Sequence, residues 1–247
     1  MRKNVVFLQL VCSALIFSAV FCGCNYSNKA LLQKRLQNME KYSGNPGNIE
    51  EIKKGIEKYD SEAKELVEKN AKIGIWYKIL GTRYLDKKMY GKALESFQKA
   101  LEFYPENPNL YYYVGVSAAF VSHSALDFNG RGETDAKMNY LRLSESAFKQ
   151  AIKIDERYSK ALYSLGVLYV YDLDDGEQAV KYLERYVNIE KRDTDGMMVL
   201  ASAYYMTSEF EKAAEMYDKI ISITKSAERK ADAESKKKVV LDAIYGA

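Results

Sequence analysis

Residues 74–105 read GIWYKILGTRYLDKKMYGKALESFQKALEFYP, and this stretch decides the fold because its pattern of small and large apolar residues recurs along the chain. Its landmark positions are Tyr77, Leu80, Gly81, Tyr84, Ala93, Phe97, Ala100 and Pro105. The three further copies carry, in order, Tyr111, Val114, Gly115, Ala118, Ser144, Phe148 and Ala151; Leu162, Leu165, Gly166, Tyr169, Ala179, Leu183 and Tyr186; and Met197, Leu200, Ala201, Tyr204, Ala213, Tyr217 and Ile220. Self-similarity at a fixed period is the signature of a repeat architecture.

Two landmarks measure the period independently. The small residue recurs at intervals of 34, 51 and 35 residues, through Gly81, Gly115, Gly166 and Ala201. The large residue of the second half recurs at 51, 35 and 34 residues, through Phe97, Phe148, Leu183 and Tyr217. Because both landmarks shift together, the second copy must hold a 17-residue insertion between Gly115 and Ser144.

The landmark pattern resembles the tetratricopeptide repeat, a family of helical solenoids. The resemblance implies an all-α fold in which each unit is a pair of antiparallel helices, and stacking of the units supplies the core. It also implies that the small residue lets the first helix of a unit approach the second closely. The large residues Tyr84, Phe97, Tyr169 and Tyr217 are then expected to fill the space between neighbouring units.

The sequence divides the chain into five segments. They are a signal peptide at 1–23, an N-terminal helix and linker at 24–47, a helical extension at 48–73, four repeat units at 74–227, and a capping helix at 228–247. Asn48 is the expected N-cap of the extension, whose apolar positions begin with Ile49, Ile52, Ile56 and Tyr59. The capping helix is predicted from its amphipathic spacing and would close the open end of the solenoid.

The insertion, around residues 121–143, is predicted to lengthen both helices of the second unit. Shared between two helices, its 17 residues would extend each by about eight or nine residues. Thr134 is the expected N-cap of the second of these helices, and Asn129 to Glu133 would form the tip of a helical arm. The arm is either a contact surface or an embellishment without a contact, and the sequence leaves both open.

The N-terminus has the features of an export signal. Arg2 and Lys3 precede an uncharged apolar run from Val5 to Phe21. The following Cys22-Gly23-Cys24 resembles a bacterial lipobox, which implies cleavage before Cys24 and acylation of that cysteine. A lipoprotein anchored in the cell envelope and facing the periplasm is therefore expected. An uncleaved membrane anchor and a plain secretory signal remain the alternatives.

Composition excludes several kinds of catalytic site. The formal net charge of +3 gives no basic surplus for nucleic acid. His123 is the one histidine, and all three cysteines lie in the first 24 residues. A histidine-based metal site, a Ser-His-Asp triad and a disulfide framework therefore lack their residues. We expect no enzyme, no cofactor and no metal, and His123 is interpreted as a surface or packing residue.

The resemblance also implies a binding groove lined by the first helix of each unit. The predicted groove residues are Tyr112, Val116, Phe120, Tyr163, Val167, Tyr171, Met198, Tyr205 and Met206. Family members that hold a peptide carboxylate use Lys and Asn in successive repeats, and here Lys78 alone fits that pattern. The groove should therefore take an apolar protein or peptide segment. The alternative is that the terminal helix of this chain fills it.

The sequence predicts a non-catalytic interaction scaffold in the cell envelope. An accessory lipoprotein of a periplasmic solute-binding protein or transporter is the alternative within the same class, and an envelope enzyme acting on peptidoglycan is the alternative outside it. A homo-oligomer is left open, and no nucleic acid is expected.

Overall fold

The computed structural model describes residues 49–124 and 135–246, together with Lys34. These residues form nine helices and no strand, which confirms the all-α class. The helices are α1 (Ile49–Asp86), α2 (Tyr90–Phe103), α3 (Pro108–Ser124), α4 (Asp135–Ile154), α5 (Ser159–Tyr171), α6 (Gly176–Ile189), α7 (Thr194–Met206), α8 (Phe210–Ile223) and α9 (Ala227–Tyr245). The signal peptide, Cys24, the linker and Asn48 lie outside the described residues.

Two compact units divide the chain between Lys64 and Glu65. Of the first unit, Met1–Lys64, the described residues are Lys34 and the start of α1. The second unit, Glu65–Ala247, holds the remainder of α1 and the other eight helices. The predicted extension and the first helix of the first repeat are therefore parts of one helix, α1.

The second unit is an array of helix pairs in two layers. From α2 onward, each helix contacts the helix that follows it in the chain. The first helices of successive pairs also contact one another, α3 with α5 and α5 with α7. Pro108 is the first residue of α3, where its fixed φ suits a helix start and its missing N–H would be unpaired in any case.

Aromatic side chains join neighbouring pairs, as the sequence predicted. The ring of Phe97 on α2 stacks on Tyr113 of α3, with centroids 4.9 Å apart. The Tyr169 hydroxyl on α5 donates a hydrogen bond to Glu145 Oε1 of the preceding pair at 2.6 Å. Tyr217 is buried and Tyr84 is half-buried. Each pair thus depends on the next for part of its core.

The second pair is lengthened by less than we predicted within the described residues. α3 has 17 residues and α4 has 20, whereas α5 and α6 of the third pair have 13 and 14. The excess is four and six residues, against the predicted eight or nine for each helix. Residues 125–134, with Thr134 and the predicted arm tip, lie outside the described residues.

Part of the predicted insertion belongs to the core, contrary to the expectation of a projecting arm over residues 121–143. Leu141 is 0% exposed and packs with the larger hydrophobic cluster, while Ser122 is 1% exposed. The reason is position along α4, because Leu141 lies two helical turns before Phe148 and on the same face.

The terminal helix α9 closes the described array. Its N-cap is Ser226, whose hydroxyl accepts a hydrogen bond from the Arg229 N–H at 3.2 Å. Ala233 and Val240 are buried, and α9 packs against α8. Among the helices that the structure describes, none combines the length and the apolar content needed to cross a bilayer.

Candidate functional site

The candidate site is the face that the first helices α3, α5 and α7 form together, which we call the groove face. Four of the predicted groove residues, Tyr112 and Val116 on α3 and Tyr163 and Val167 on α5, are half-buried and pack against the larger hydrophobic cluster. Their exposed edges line the face, while their inner edges contribute to its support.

A cavity of about 330 Å³ opens where the C-terminal ends of α5 and α7 meet α9. Its lining residues are Val170, Tyr171, Ser202, Tyr205, Met206, Tyr217, Lys236, Val239 and Val240. The structure therefore brings together three of the predicted groove residues, Tyr171, Tyr205 and Met206. The terminal helix forms one wall of this cavity and leaves its volume open.

The rim and the floor of the cavity differ in exposure. Tyr171 and Tyr205 are 64% and 43% exposed, so their rings stand at the rim. Tyr217 and Val240 are buried and form the floor. Burial raises the pKa of Tyr217 above its ordinary value, and a hydrogen bond with Ser202 opposes that shift. The floor is thus apolar, with its one hydroxyl satisfied from within the protein.

Lys236 adds the one charge among the cavity-lining residues. Its ammonium group lies 3.4 Å from Asp232, one turn earlier on α9, and the two side chains are about half exposed. An exposed pair of this kind is weak, so the ammonium group can turn to a ligand at little cost. The cavity therefore offers apolar walls, two tyrosine hydroxyls at its rim and one cation.

The opposite end of the groove face is polar. The Tyr186 hydroxyl donates to Asp193 Oδ2 at 2.6 Å, and Asp193 also caps α7 by accepting from the Gly196 N–H at 3.0 Å. Arg229 of α9 pairs with Asp195 in the first turn of α7. Burial raises the pKa of Tyr163, and the carboxylates of Asp195 and Asp193 add to that shift. Charge at this end is already paired within the chain.

The other predicted aromatic residues do not meet in the cavity. The ring of Tyr163 lies 5.2 Å from that of Tyr186. Phe120 stacks on Tyr90 at 4.5 Å and stays 44% exposed. The Tyr112 ring is surrounded by those of Tyr113, Phe148 and Tyr158. These rings line the groove face in separate local clusters.

Met198 does not line the exposed face, contrary to its prediction as a groove residue. It is 6% exposed and packs within the larger hydrophobic cluster, so its side chain supports α7 from below. Its neighbour Met197, the first landmark of the fourth unit, is also buried. The exposed surface of this unit is supplied by Tyr205 at the far end of α7.

Sequence reasoning missed the contribution of α9 to the cavity. Lys236, Val239 and Val240 recur at intervals of three and four residues from Lys236, which places them on one helical face. That spacing was visible in the sequence. The contact of this face with Tyr171 and Tyr205 was not, because Lys236 follows even the nearer tyrosine, Tyr205, by 31 residues.

The described residues outside the groove face hold no arrangement suited to chemistry. His123 Nε2 lies 3.3 Å from Asp172 Oδ1, a contact between the ends of α3 and α5. Across residues 49–124 and 135–246, no group of three or more histidine, cysteine and carboxylate side chains could hold a metal ion.

Comparison with known proteins agrees with this architecture. The tetratricopeptide repeat family matches residues 76–107. Among solved structures, YrrB, described as a TPR protein with an unusual peptide-binding site, superposes with a TM-score of 0.52 over 81% of this chain and 97% of its own at 19% identity. The chain has the tetratricopeptide repeat fold.

Two further comparisons extend the likeness. A thermophilic TPR protein of Thermus thermophilus superposes with a TM-score of 0.52 at 18% identity, over 72% of this chain and 86% of that protein. In sequence, a TPR repeat-containing protein of Borreliella burgdorferi is 28% identical over 220 residues, which cover 89% of this chain and 90% of the relative. The tetratricopeptide repeat resemblance therefore extends over most of the chain.

Proposed function

We propose that this tetratricopeptide repeat protein is a non-catalytic scaffold that binds a segment of a partner protein on its groove face. Proteins with this repeat act as interaction scaffolds, and their stacked units present extended surfaces for that purpose. The observation that carries the proposal is the cavity between α5, α7 and α9, with exposed tyrosines at its rim and apolar residues at its floor.

The chemistry of the cavity defines the segment that it would accept. A volume of about 330 Å³ is at the lower end of ligand pockets and suits one or two large apolar side chains. Val170, Met206 and Val239 would enclose these side chains. The segment is therefore expected to carry an apolar anchor.

The polar groups at the rim indicate what should flank the anchor. Tyrosine combines an apolar ring with a hydroxyl, so Tyr171 and Tyr205 can pack against the anchor and hydrogen-bond to its backbone. The ammonium group of Lys236 would donate to a carboxylate or a backbone carbonyl. We therefore expect an acidic residue or an exposed carbonyl within a few residues of the apolar anchor.

The test is selection of peptides from a random library by the purified chain. Wild type should enrich segments with a large apolar residue near an acidic one. Changing Tyr171 and Tyr205 together to Ala should abolish enrichment, because truncating aromatic anchors at an interface costs about 2 kcal/mol or more each. Helicity should be kept, since both rings are largely exposed.

Tyr245→Ala is the matched control. Tyr245 is 80% exposed at the end of α9 and does not line the cavity. This variant should select the same peptides as wild type. Equal enrichment by wild type and by the Tyr171 and Tyr205 double variant would refute the groove as the binding site.

The second part of the proposal is location at the cell envelope, with Cys24 acylated and the repeat array facing the periplasm. Its support is the sequence of residues 1–24, with a basic start, an apolar run and the Cys22-Gly23-Cys24 motif. An anchored scaffold of this kind would hold its partner close to the membrane surface.

A further inference from the structure

The N-terminal part of α1 exposes a regular apolar stripe. We call it the α1 stripe, and its members are Ile49, Ile52, Ile56, Tyr59, Ala63 and Leu66. Ile49, Ile56 and Tyr59 are 73%, 63% and 68% exposed, which is unusual for large apolar side chains in such a row. No contact within the described residues explains this stripe.

The spacing of the stripe is that of a coiled-coil seam. Its members follow one another at intervals of three, four, three, four and three residues. This period of 3.5 keeps apolar residues on one line when two helices wind around each other. With Ile49 at position a of the heptad, each interval places the next member at d or a without exception.

The charges beside the stripe select one alignment. Lys53 and Asp60 both occupy heptad position e. In an antiparallel pair, position e of one helix lies beside position e of the other. When Ile56 lies opposite Tyr59 of a second copy, Lys53 of each helix faces Asp60 of the other, which gives two opposite-charge pairs.

Other alignments are disfavoured by the same charges. A shift by one heptad in one direction places Lys53 against Lys53, and a shift in the other places Asp60 against Asp60. A parallel pair would set position e against position g, where Asp60 meets Gly55 and forms no ion pair. Charge complementarity therefore favours a single arrangement.

We propose that α1 pairs with α1 of a second copy of this chain as an antiparallel coiled coil centred on Ile56 and Tyr59. Ile49 then packs against Leu66 of the second copy, and Ile52 packs against Ala63. The interface is self-complementary, as a twofold dimer requires. It is separate from the groove face and does not depend on the proposed function.

The first experiment is sedimentation velocity of the full-length chain in mild detergent over a range of concentrations. Wild type should form a dimer. Ile56→Glu should weaken association by at least about tenfold, because it removes two buried isoleucines from the symmetric seam and adds two carboxylates there. Peptide selection by the groove face should be unchanged.

The matched control is Ile75→Glu. Ile75 lies on the same helix, is 49% exposed and stands away from the line of the stripe. The chemical change is identical, so this variant should associate as wild type does. Equal weakening by both variants would overturn the assignment of the stripe.

The second experiment mixes two charge variants. Lys53→Asp alone and Asp60→Lys alone should each dimerise more weakly than wild type, because both e–e pairs become repulsive. Their equimolar mixture should recover the dimer, since each Asp of one chain then faces a Lys of the other. Parallel pairing predicts no such recovery.

Three results would overturn the proposal. One is a wild-type chain that stays monomeric at every concentration. Another is an Ile56→Glu variant that loses thermal stability with an unchanged association constant, which would show that the chain covers the stripe with its own residues. The third is failure of the mixed charge variants to associate although circular dichroism shows α1 to be helical.

Discussion

The ring of Phe97 lies directly against the backbone of Gly81, and a Cβ atom on Gly81 would stand 2.7 Å from Phe97 Cε1. The relationship recurs one unit later, where a Cβ on Gly115 would stand 2.5 Å from Phe148 Cε1. In the third unit, Gly166 holds the same place against Leu183. This contact between the small and the large landmark sets the distance between the two helices of each unit.

Gly81→Ala should therefore destabilise the protein by about 1–3 kcal/mol, the usual cost of overpacking a close contact. Phe97 cannot move away easily, because its ring also stacks on Tyr113. Urea unfolding measures the change. Gly91→Ala is the control, since a Cβ there meets no heavy atom within 4 Å. Equal effects of the two substitutions would contradict the packing argument.

Leu141→Ala should destabilise the array by about 2–5 kcal/mol, as expected for a fully buried leucine. This prediction follows from the structure, because the sequence placed Leu141 in a dispensable arm. Asn139→Ala, exposed on the same helix, should be nearly neutral. Thermal unfolding of both variants tests it, and a stable Leu141→Ala variant would return residue 141 to the arm.

Stability should fall between about pH 10 and pH 12 in part through Tyr169. Burial raises the pKa of Tyr169 from 10.0 to about 12, and the hydrogen bond to Glu145 adds to the shift. The folded chain therefore holds this proton more tightly than the unfolded chain does. The resulting stabilisation is complete below about pH 10 and disappears as pH rises through about 12.

Tyr169→Phe removes this titration and should make the decline shallower over that interval. Urea unfolding at several pH values between about 8 and 12 measures it for both proteins. Tyr186 and Tyr204 donate to Asp193 and Glu184 and also have raised pKa values, so part of the decline should persist. An identical profile for wild type and Tyr169→Phe would contradict the prediction.

Cys24→Ala should abolish incorporation of labelled fatty acid and release the chain from the membrane fraction. Acyl chains contribute about 0.8 kcal/mol for each buried CH₂ group, so their loss should decide membrane attachment. Metabolic labelling followed by fractionation measures both effects. Cys22→Ala is the control and should keep label and attachment. A Cys24→Ala variant that remains labelled and membrane-bound would exclude the lipobox.

Much of the fold was accessible from the sequence because its contacts repeat. Gly81 and Phe97 are 16 residues apart, and their counterparts keep the same register wherever the unit length is kept. The 17-residue shift of both landmarks located the insertion. Its internal division was predicted less well, since Leu141 belongs to the core by its position on α4 and sequence spacing alone did not distinguish that from an arm.

The sequence by itself determined the helix pairs, their order and the small-to-large contact within each, because those depend on residues close in the chain and on a repeated period. The tertiary structure alone decided which groove residues share a cavity. Tyr171, Tyr205 and Val240 come together there from three helices. Their meeting depends on how α9 packs against α8 and lies beside α7, and no local periodicity encodes that placement.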